Sequence, residues 1–244
     1  MKKNEISIIL WSDFACPYCY IGETRLQRAI EELGLKDDVK VDFRAFELDP
    51  TAPKEVTTTT PERFAMKYRL SLEGAKQQIQ QISDLGKELG IDFRYATTQY
   101  SNTRDAHRLM KLAEDKYDSA TVGRLNEALF AAYFTENLVL ADHKVLLEKA
   151  VSVGMDEKEV KDMLESDRYD DEVRFDEREA GMRGVRGVPY IVFNGTFAVP
   201  GAMSIDAFKS ALQRELKKQE EDNKVEEKPA ERPHTCGPDG CQLL

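Results

Sequence analysis

The chain has 244 residues, 33% of them charged, and a formal net charge of −10. That length is enough for a sizeable core, and the acidic balance argues against non-specific binding to nucleic acid or to an anionic membrane surface. No apolar run approaches the ~20 residues of a spanning helix, and Met1-Lys2-Lys3-Asn4-Glu5 passes straight into the first strand without an apolar leader or cleavage site, so the sequence reads as cytoplasmic.

Ile6 to Trp11 is an apolar run that reads as a buried strand. It leads into Ser12-Asp13-Phe14-Ala15-Cys16-Pro17-Tyr18-Cys19-Tyr20-Ile21-Gly22, after which Ile21, Leu26, Ile30 and Leu33 recur on or near one helix face. Cys16 and Cys19 therefore stand where a strand ends and a helix begins. The free N–H groups and positive dipole end of a helix stabilise an anion, so a thiolate at Cys16 is favoured. Cys16 is the expected attacking thiol. Cys19, one turn on and deeper, is the expected resolving thiol. Pro17 suits the first helical turn, where no N–H is missed. Two alternatives stand beside this reading: a packed pair of small hydrophobes, and half of a metal site. The paired C-x-x-C spacing of zinc sites is not matched, because Cys236 and Cys241 form a distant C-x4-C. No metal is expected.

Val39 to Phe46 alternates apolar and polar residues and predicts a second strand. Residues 47–60, with Asp49-Pro50, Pro53 and Thr57 to Thr60, predict a loop leaving the sheet. Helical patterns then dominate to about residue 183. Thr60-Pro61 reads as a cap followed by a first-turn proline. Ala75, Ile79, Ile82 and Leu89 share one face, and Gly90 stops that helix. Asn102-Thr103 opens the next, with His107 beside Ala106. Val122 to Phe134 carries another, Asp142 caps a fourth, Asp156 with Glu159 reads as a capping box, and a last pattern runs from Arg168 to Met182. Val188-Pro189 begins a strand over Tyr190 to Phe193, and Asn194-Gly195 signals a hairpin back through Thr196 to Val199. Ser204 caps a final helix whose apolar face, Ile205, Phe208, Leu212 and Leu216, ends by Lys218. Residues 219–234 are charged and read as a solvated tail. His143 is read as solvated, and His234 lies close to Cys236.

The run Asp13 to Gly22 after a first strand, with Gly184-Val185-Arg186-Gly187-Val188-Pro189 much later, resembles the DsbA-like thioredoxin-fold proteins, and among them the cytoplasmic FrnE-like branch. The resemblance covers roughly Ile6 to Leu216. It implies an α/β, thioredoxin-like domain with a large all-helical insertion: residues 1–48 and 184–218 the two halves, 49–183 the insertion, 219–244 a charged flexible tail. It implies a thiol–disulfide oxidoreductase or isomerase acting on protein or peptide cysteines without a cofactor, with glutathione or thioredoxin as electron partner. Pro189 matches the cis-proline that faces the active disulfide in such proteins, and the Val188 backbone then pairs with an extended substrate. Pro17 and Tyr18 sit between the cysteines; Tyr18 is neutral where strongly oxidising relatives carry histidine. Phe14 and His107 are candidates for the peptide-binding surface; the alternative is a core position for Phe14 and a capped surface or core histidine for His107.

Two other functions share this outline. Glutathione-linked isomerases and transferases, the 2-hydroxychromene-2-carboxylate isomerases and kappa-class glutathione transferases, have the same fold but typically serine where Cys16 stands. A chaperone-like or metal-binding protein is the non-enzymatic alternative. Cys236-Gly237-Pro238-Asp239-Gly240-Cys241 is read as a second redox pair, its turn residues bringing the thiols together and the tail reaching back to Cys16 and Cys19 within one chain. A metal-binding or inert tail is the alternative. The sequence leaves the oligomeric state open.

Overall fold

A computed structural model of the chain describes residues 5–226, 236–237 and 240–241. The apolar run forms β1 (Ile6–Ser12), in which Ile6, Ile8, Leu10 and Trp11 are all buried. Apolar residues on both faces suit a central strand, and β1 is one. It pairs in parallel with β2 (Val39–Ala45) and antiparallel with β3 (Tyr190–Phe193). β3 pairs in turn with β4 (Phe197–Pro200), so the four-stranded sheet runs β2-β1-β3-β4. The parallel β1/β2 pair needs a crossover, and α1 (Pro17–Glu32) supplies it. In the β3–β4 connection Asn194 and Gly195 have φ of 47° and 69°, a left-handed pair at the centre of a turn closed by the Thr196 N–H on the Phe193 carbonyl at 3.1 Å, with Phe193 paired to Phe197. Asn194 also accepts the Ser7 N–H at 3.0 Å and donates to Glu215 at 3.0 Å, locking the turn to β1 and the last helix.

Between β2 and β3 lie seven helices: α2 (Thr60–Tyr68), α3 (Leu72–Glu88), α4 (Arg104–Lys116), α5 (Ser119–Phe134), α6 (His143–Ser152), α7 (Glu157–Leu164) and α8 (Asp170–Met182), with a 3-10 turn at Tyr95–Thr97. This is the α/β fold with an all-helical insertion that the sequence predicts. The insertion has its own core. Tyr20 of α1 stacks on Phe130 of α5 at 5.0 Å and 5°, and Phe93 stacks on Phe134 at 4.7 Å. The sheet has a second core, in which Leu26 and Ile30 of α1 join Phe208 and Leu212 of α9 (Ile205–Glu226). Helix α1 thus belongs to both cores, and the stretch that leads into it lies at their junction. Among the described residues no helix is long and apolar enough to cross a membrane.

Asn102-Thr103 opens α4 as expected: Thr103 is its N-cap residue, Asn102 accepts the Arg104 N–H at 2.9 Å, and the Thr103 hydroxyl donates to Asp13 at 2.9 Å. Two local expectations shift. The cap of α2 is Thr59, not Thr60: its side chain accepts the Glu62 N–H and Glu62 reaches back, a capping box that places Pro61 second in the helix. Helix α9 runs on to Glu226, past Lys218 where the apolar face ends. Residues 219–226 contain neither glycine nor proline and are rich in straight-chain polar residues, so a solvated helix continues without a face to bury. Gln219 anchors this extension by donating to the Glu5 carbonyl at 3.0 Å.

Candidate active site

Cys16 is the N-cap of α1, with extended backbone (φ −93°, ψ 113°), and its carbonyl accepts the Cys19 N–H at 3.1 Å. Its side chain makes no cap bond and turns instead to the other half of the fold, where the thiol lies 3.5 Å from the Val188 carbonyl oxygen. The Val188–Pro189 peptide is cis, as the resemblance implies. Gly22 permits the close approach of α1 to this loop: a Cβ there would stand 3.2 Å from both Pro189 Cγ and Ala202 Cβ. Arg25 donates to the Ala202 carbonyl at 3.2 Å and holds the far side of the same junction.

Cys16 is 5% exposed and Cys19 is fully buried; both are thiols. Burial pushes the Cys19 thiol well up from its ordinary value, and the neighbouring Cys16 and the charge of Glu23 push it the same way. Of the other expected residues, Tyr18 is 44% exposed at the mouth and Val188 half-buried, whereas Pro17, Phe14 and His107 are buried. Phe14 packs between the rings of Phe130 at 4.9 Å and His107 at 5.1 Å. Tyr68 of α2 is exposed near this mouth; its phenol is pushed up by burial and then by the charges of Cys16 and Tyr18. His143, expected in solvent, bonds Asp105 at 2.9 Å through Nε2.

Two carboxylates around the cysteines were not picked out from the sequence. Asp13 is buried and accepts from the Ala15 N–H (3.1 Å), the Leu48 N–H (2.7 Å) and the Thr103 hydroxyl, joining the loop before Cys16 to α4 and to the segment after β2. Burial pushes its carboxyl up, but the facing His107 and the two N–H donors outweigh that and hold it below the usual range. His107 Nε2 is 3.7 Å from Asp13 Oδ1, too far for a hydrogen bond, and has no partner among the described residues.

Glu23 lies one helical turn after Cys19. It accepts from the Ser12 hydroxyl at 2.5 Å and from Asn126 of α5 at 2.6 Å. Burial pushes its carboxyl up to about 7, against the lowering effect of those two bonds and of His107. A signal was present in the sequence: a carboxylate four residues after Cys19, on the side of α1 that faces inward.

The tail cysteines fall on two short strands, β5 (Cys236–Gly237) and β6 (Gly240–Cys241), which pair antiparallel with Cys236 opposite Cys241. Directly opposed residues of such a pair have Cα atoms about 4.5–5.5 Å apart, within the range a disulfide spans. His234 lies outside the described residues.

Residues 7–213 match the DSBA-like thioredoxin domain family. A probable DsbA oxidoreductase from Streptomyces coelicolor has a solved structure that is 32% identical, with a TM-score of 0.80 and 98% of this chain and 100% of that chain covered. Bacillus subtilis YwbO is 25% identical over 218 residues, 87% of this chain and 98% of its own length. The cytosolic disulfide reductase DsbM from Pseudomonas aeruginosa, solved with GSH, is 13% identical with a TM-score of 0.58, covering 89% of this chain and 99% of that chain, a likeness of fold.

Proposed function

Because the chain belongs to the DSBA-like thioredoxin domain family, a family of thiol–disulfide oxidoreductases, we propose that it exchanges disulfides with protein or peptide cysteines through Cys16 and Cys19. One observation carries this reading: a thiol at the start of α1 lies 3.5 Å from the carbonyl of the residue before Pro189, with a second thiol buried one turn behind it. The backbone of Val188 stands where an extended substrate would pair beside the sulfur, and the exposed Tyr18 flanks the mouth.

In the reducing direction the Cys16 thiolate attacks one sulfur of a substrate disulfide. The substrate S–S bond breaks, its second sulfur leaves as a thiolate that takes a proton from water, and a Cys16–substrate mixed disulfide forms. Cys19 gives up its proton and attacks the Cys16 sulfur; the substrate leaves as a thiolate, and the Cys16–Cys19 bond closes. The protein dithiol has lost two electrons and the substrate disulfide has gained them. Run backwards, the same steps oxidise a substrate dithiol. Glutathione or thioredoxin returns the dithiol to its starting state. We assign the chain to the cytoplasm, where close cysteine pairs serve exchange more often than structure. A complete dithiol at the helix start weighs against the glutathione-linked isomerase or transferase reading. Cys236 and Cys241 form a second exchanging pair in this proposal.

Insulin reduction with a thiol donor tests the reading. Cys16→Ser should abolish it, and Cys19→Ser should accumulate substrate or glutathione bound at Cys16, seen by mass spectrometry of non-reduced peptides. Retained turnover in Cys16→Ser would overturn it.

A further inference from the structure

Arg104 and Asp105 stand four and three residues before Arg108 on α4, so all three lie toward one side of the helix. That side lines an open cavity of about 460 Å³, within the size range of small-molecule sites. Residues 50–54 after β2, His143 at the start of α6 and residues 164–170 between α7 and α8 complete it. Neither cysteine lines it. Pro50, Ala52 and Leu164 are its apolar residues and the others are polar or charged, so the space suits a polar ligand.

The wall is fixed by groups that pair with one another. Arg108 is 5% exposed, and its guanidinium holds the turn after α7: Nε donates to the Arg168 carbonyl at 2.8 Å, and Nη2 to the carbonyls of Met163 at 3.0 Å and Ser166. Nη1 donates to one Asp105 oxygen at 2.8 Å, and His143 Nε2 meets the other at 2.9 Å. Burial pushes the Asp105 carboxyl up, but His143, Arg108 and Lys54 outweigh that and hold it below the usual range. Arg104 pairs with Asp170, tying the start of α4 to the start of α8.

Three charges are left over. Lys54 is exposed and comes only to 3.5 Å from Asp105, whose oxygens already have closer partners. Glu165 and Asp167 are exposed, and their side chains make no hydrogen bond or ion pair among the described residues. The lining sets the carboxylates of Asp105, Glu165, Asp167 and Asp170 against the cations of Lys54, Arg104 and Arg108, beside His143. A simple anion would find one uncommitted cation there and two uncommitted carboxylates. A ligand with one carboxylate and two cationic groups is the complement of what is left over. We propose that this cavity binds a small basic amino acid, with its α-carboxylate on Lys54 and its α-ammonium and side-chain cation on Glu165 and Asp167. The site is separate from the thiol pair and does not rest on the reading of Cys16 and Cys19.

Isothermal titration of the full chain at low ionic strength tests this, with L-arginine and L-lysine as the probes. Both should bind saturably at one site. L-citrulline, which has the shape of arginine without its side-chain charge, and agmatine, which lacks the carboxylate, should each bind at least about tenfold more weakly than L-arginine. Lys54→Met should weaken L-arginine by a similar factor and leave agmatine no weaker than in the parent, because agmatine has nothing for Lys54 to hold. Glu165→Gln combined with Asp167→Asn should weaken both ligands together. All three positions are exposed, so these variants keep the fold. Cys16→Ser should bind L-arginine as the parent does; loss of binding there would place the ligand at the thiols and overturn the proposal. Absence of saturable heat with both probes in the parent overturns it without any variant. So does L-glutamate binding as tightly as L-arginine, or an equal loss of L-arginine and agmatine binding in Lys54→Met.

Discussion

Glu23 gives the fold a pH dependence. Its carboxyl is pushed up to about 7 from an ordinary 4.5, chiefly by burial. The native state therefore holds a proton that the unfolded chain has released across that window. The stability linked to this group is fully present below the unfolded value and is lost as pH rises toward 7, a change of roughly 3 kcal/mol over that interval. Asp13 works the other way: its lowered carboxyl adds stability above its ordinary value and loses it as pH falls. Urea unfolding of the parent should thus weaken between pH 5 and pH 8. Glu23→Gln, which has nothing to ionise, should show a flatter profile there. Parallel profiles for the two proteins would mean that Glu23 does not titrate in this range. The cysteines were legible because their types and spacing are rare. Asp13 and Glu23 were harder to read: among 45 acidic residues Glu23 is marked only by its place four residues after Cys19 on the inward side of α1, and Asp13 only by its place in the run before Cys16.

Asp176 makes the most polar contacts of any α8 residue with the sheet. The Asp176 carboxylate accepts from Arg44 at 2.8 Å, the Ala45 N–H at 3.0 Å and Lys111 at 2.8 Å, and its carbonyl accepts the Trp11 indole N–H at 3.1 Å. A single buried position joins α8 to β1, β2 and α4. Asp176→Ala would leave the Ala45 N–H without its acceptor and take one carboxylate from each cation, Arg44 keeping Asp42 at 2.7 Å and Lys111 keeping Glu114 at 2.8 Å. It should cost about 1–3 kcal/mol, read as a lower urea midpoint at an unchanged slope. A loss under 1 kcal/mol, the range of an exposed pair, would show that the neighbours find other partners. The existence of α8 was legible from its helical pattern. Its docking residue was not, since Asp176 sits among Asp170, Asp171, Glu172, Glu177 and Glu179, and the pattern does not say which one turns inward.

At the scale of the molecule, the length of α9 changes what the tail can do. Arg25 meets the start of α9 through Ala202 and Met203, and Lys209 pairs with Glu32 at the end of α1, so α9 runs alongside α1 and away from Cys16. It is helical as far as Glu226, and nine residues, 227–235, separate that point from Cys236 in the sequence. Fully extended, that stretch spans roughly 30–35 Å, while a helix of α9's length carries its end about 30 Å from its start. Exchange within one chain, expected from a tail beginning at residue 219, is then at the limit of reach. Exchange between two copies has no such limit. Cys19→Ser under mild oxidation should give a disulfide between Cys16 and Cys236 or Cys241 whose yield rises with protein concentration. Yield independent of dilution would restore exchange within one chain. No cross-link at all, with full turnover after truncation at Glu226, would remove the tail from the mechanism.

Local chemistry and periodicity were enough for the elements of this protein. A strand running into Cys16-Pro17-Tyr18-Cys19 and then an amphipathic helix, the Asn194-Gly195 hairpin and most of the helix starts follow from residues close together in the chain. The tertiary structure decided what those elements enclose. The thiol of Cys16 meets a carbonyl 172 residues away at Val188, Asn126 reaches Glu23 across 103 residues, and Asp176 collects partners from three separate elements. Such pairings depend on which faces are packed together, and the same burial that makes the pairings displaces the acid–base behaviour of Cys19, Glu23 and Asp13. That α9 runs past Lys218 was decided there as well, because a helix with no apolar face leaves no periodicity in the sequence by which to follow it.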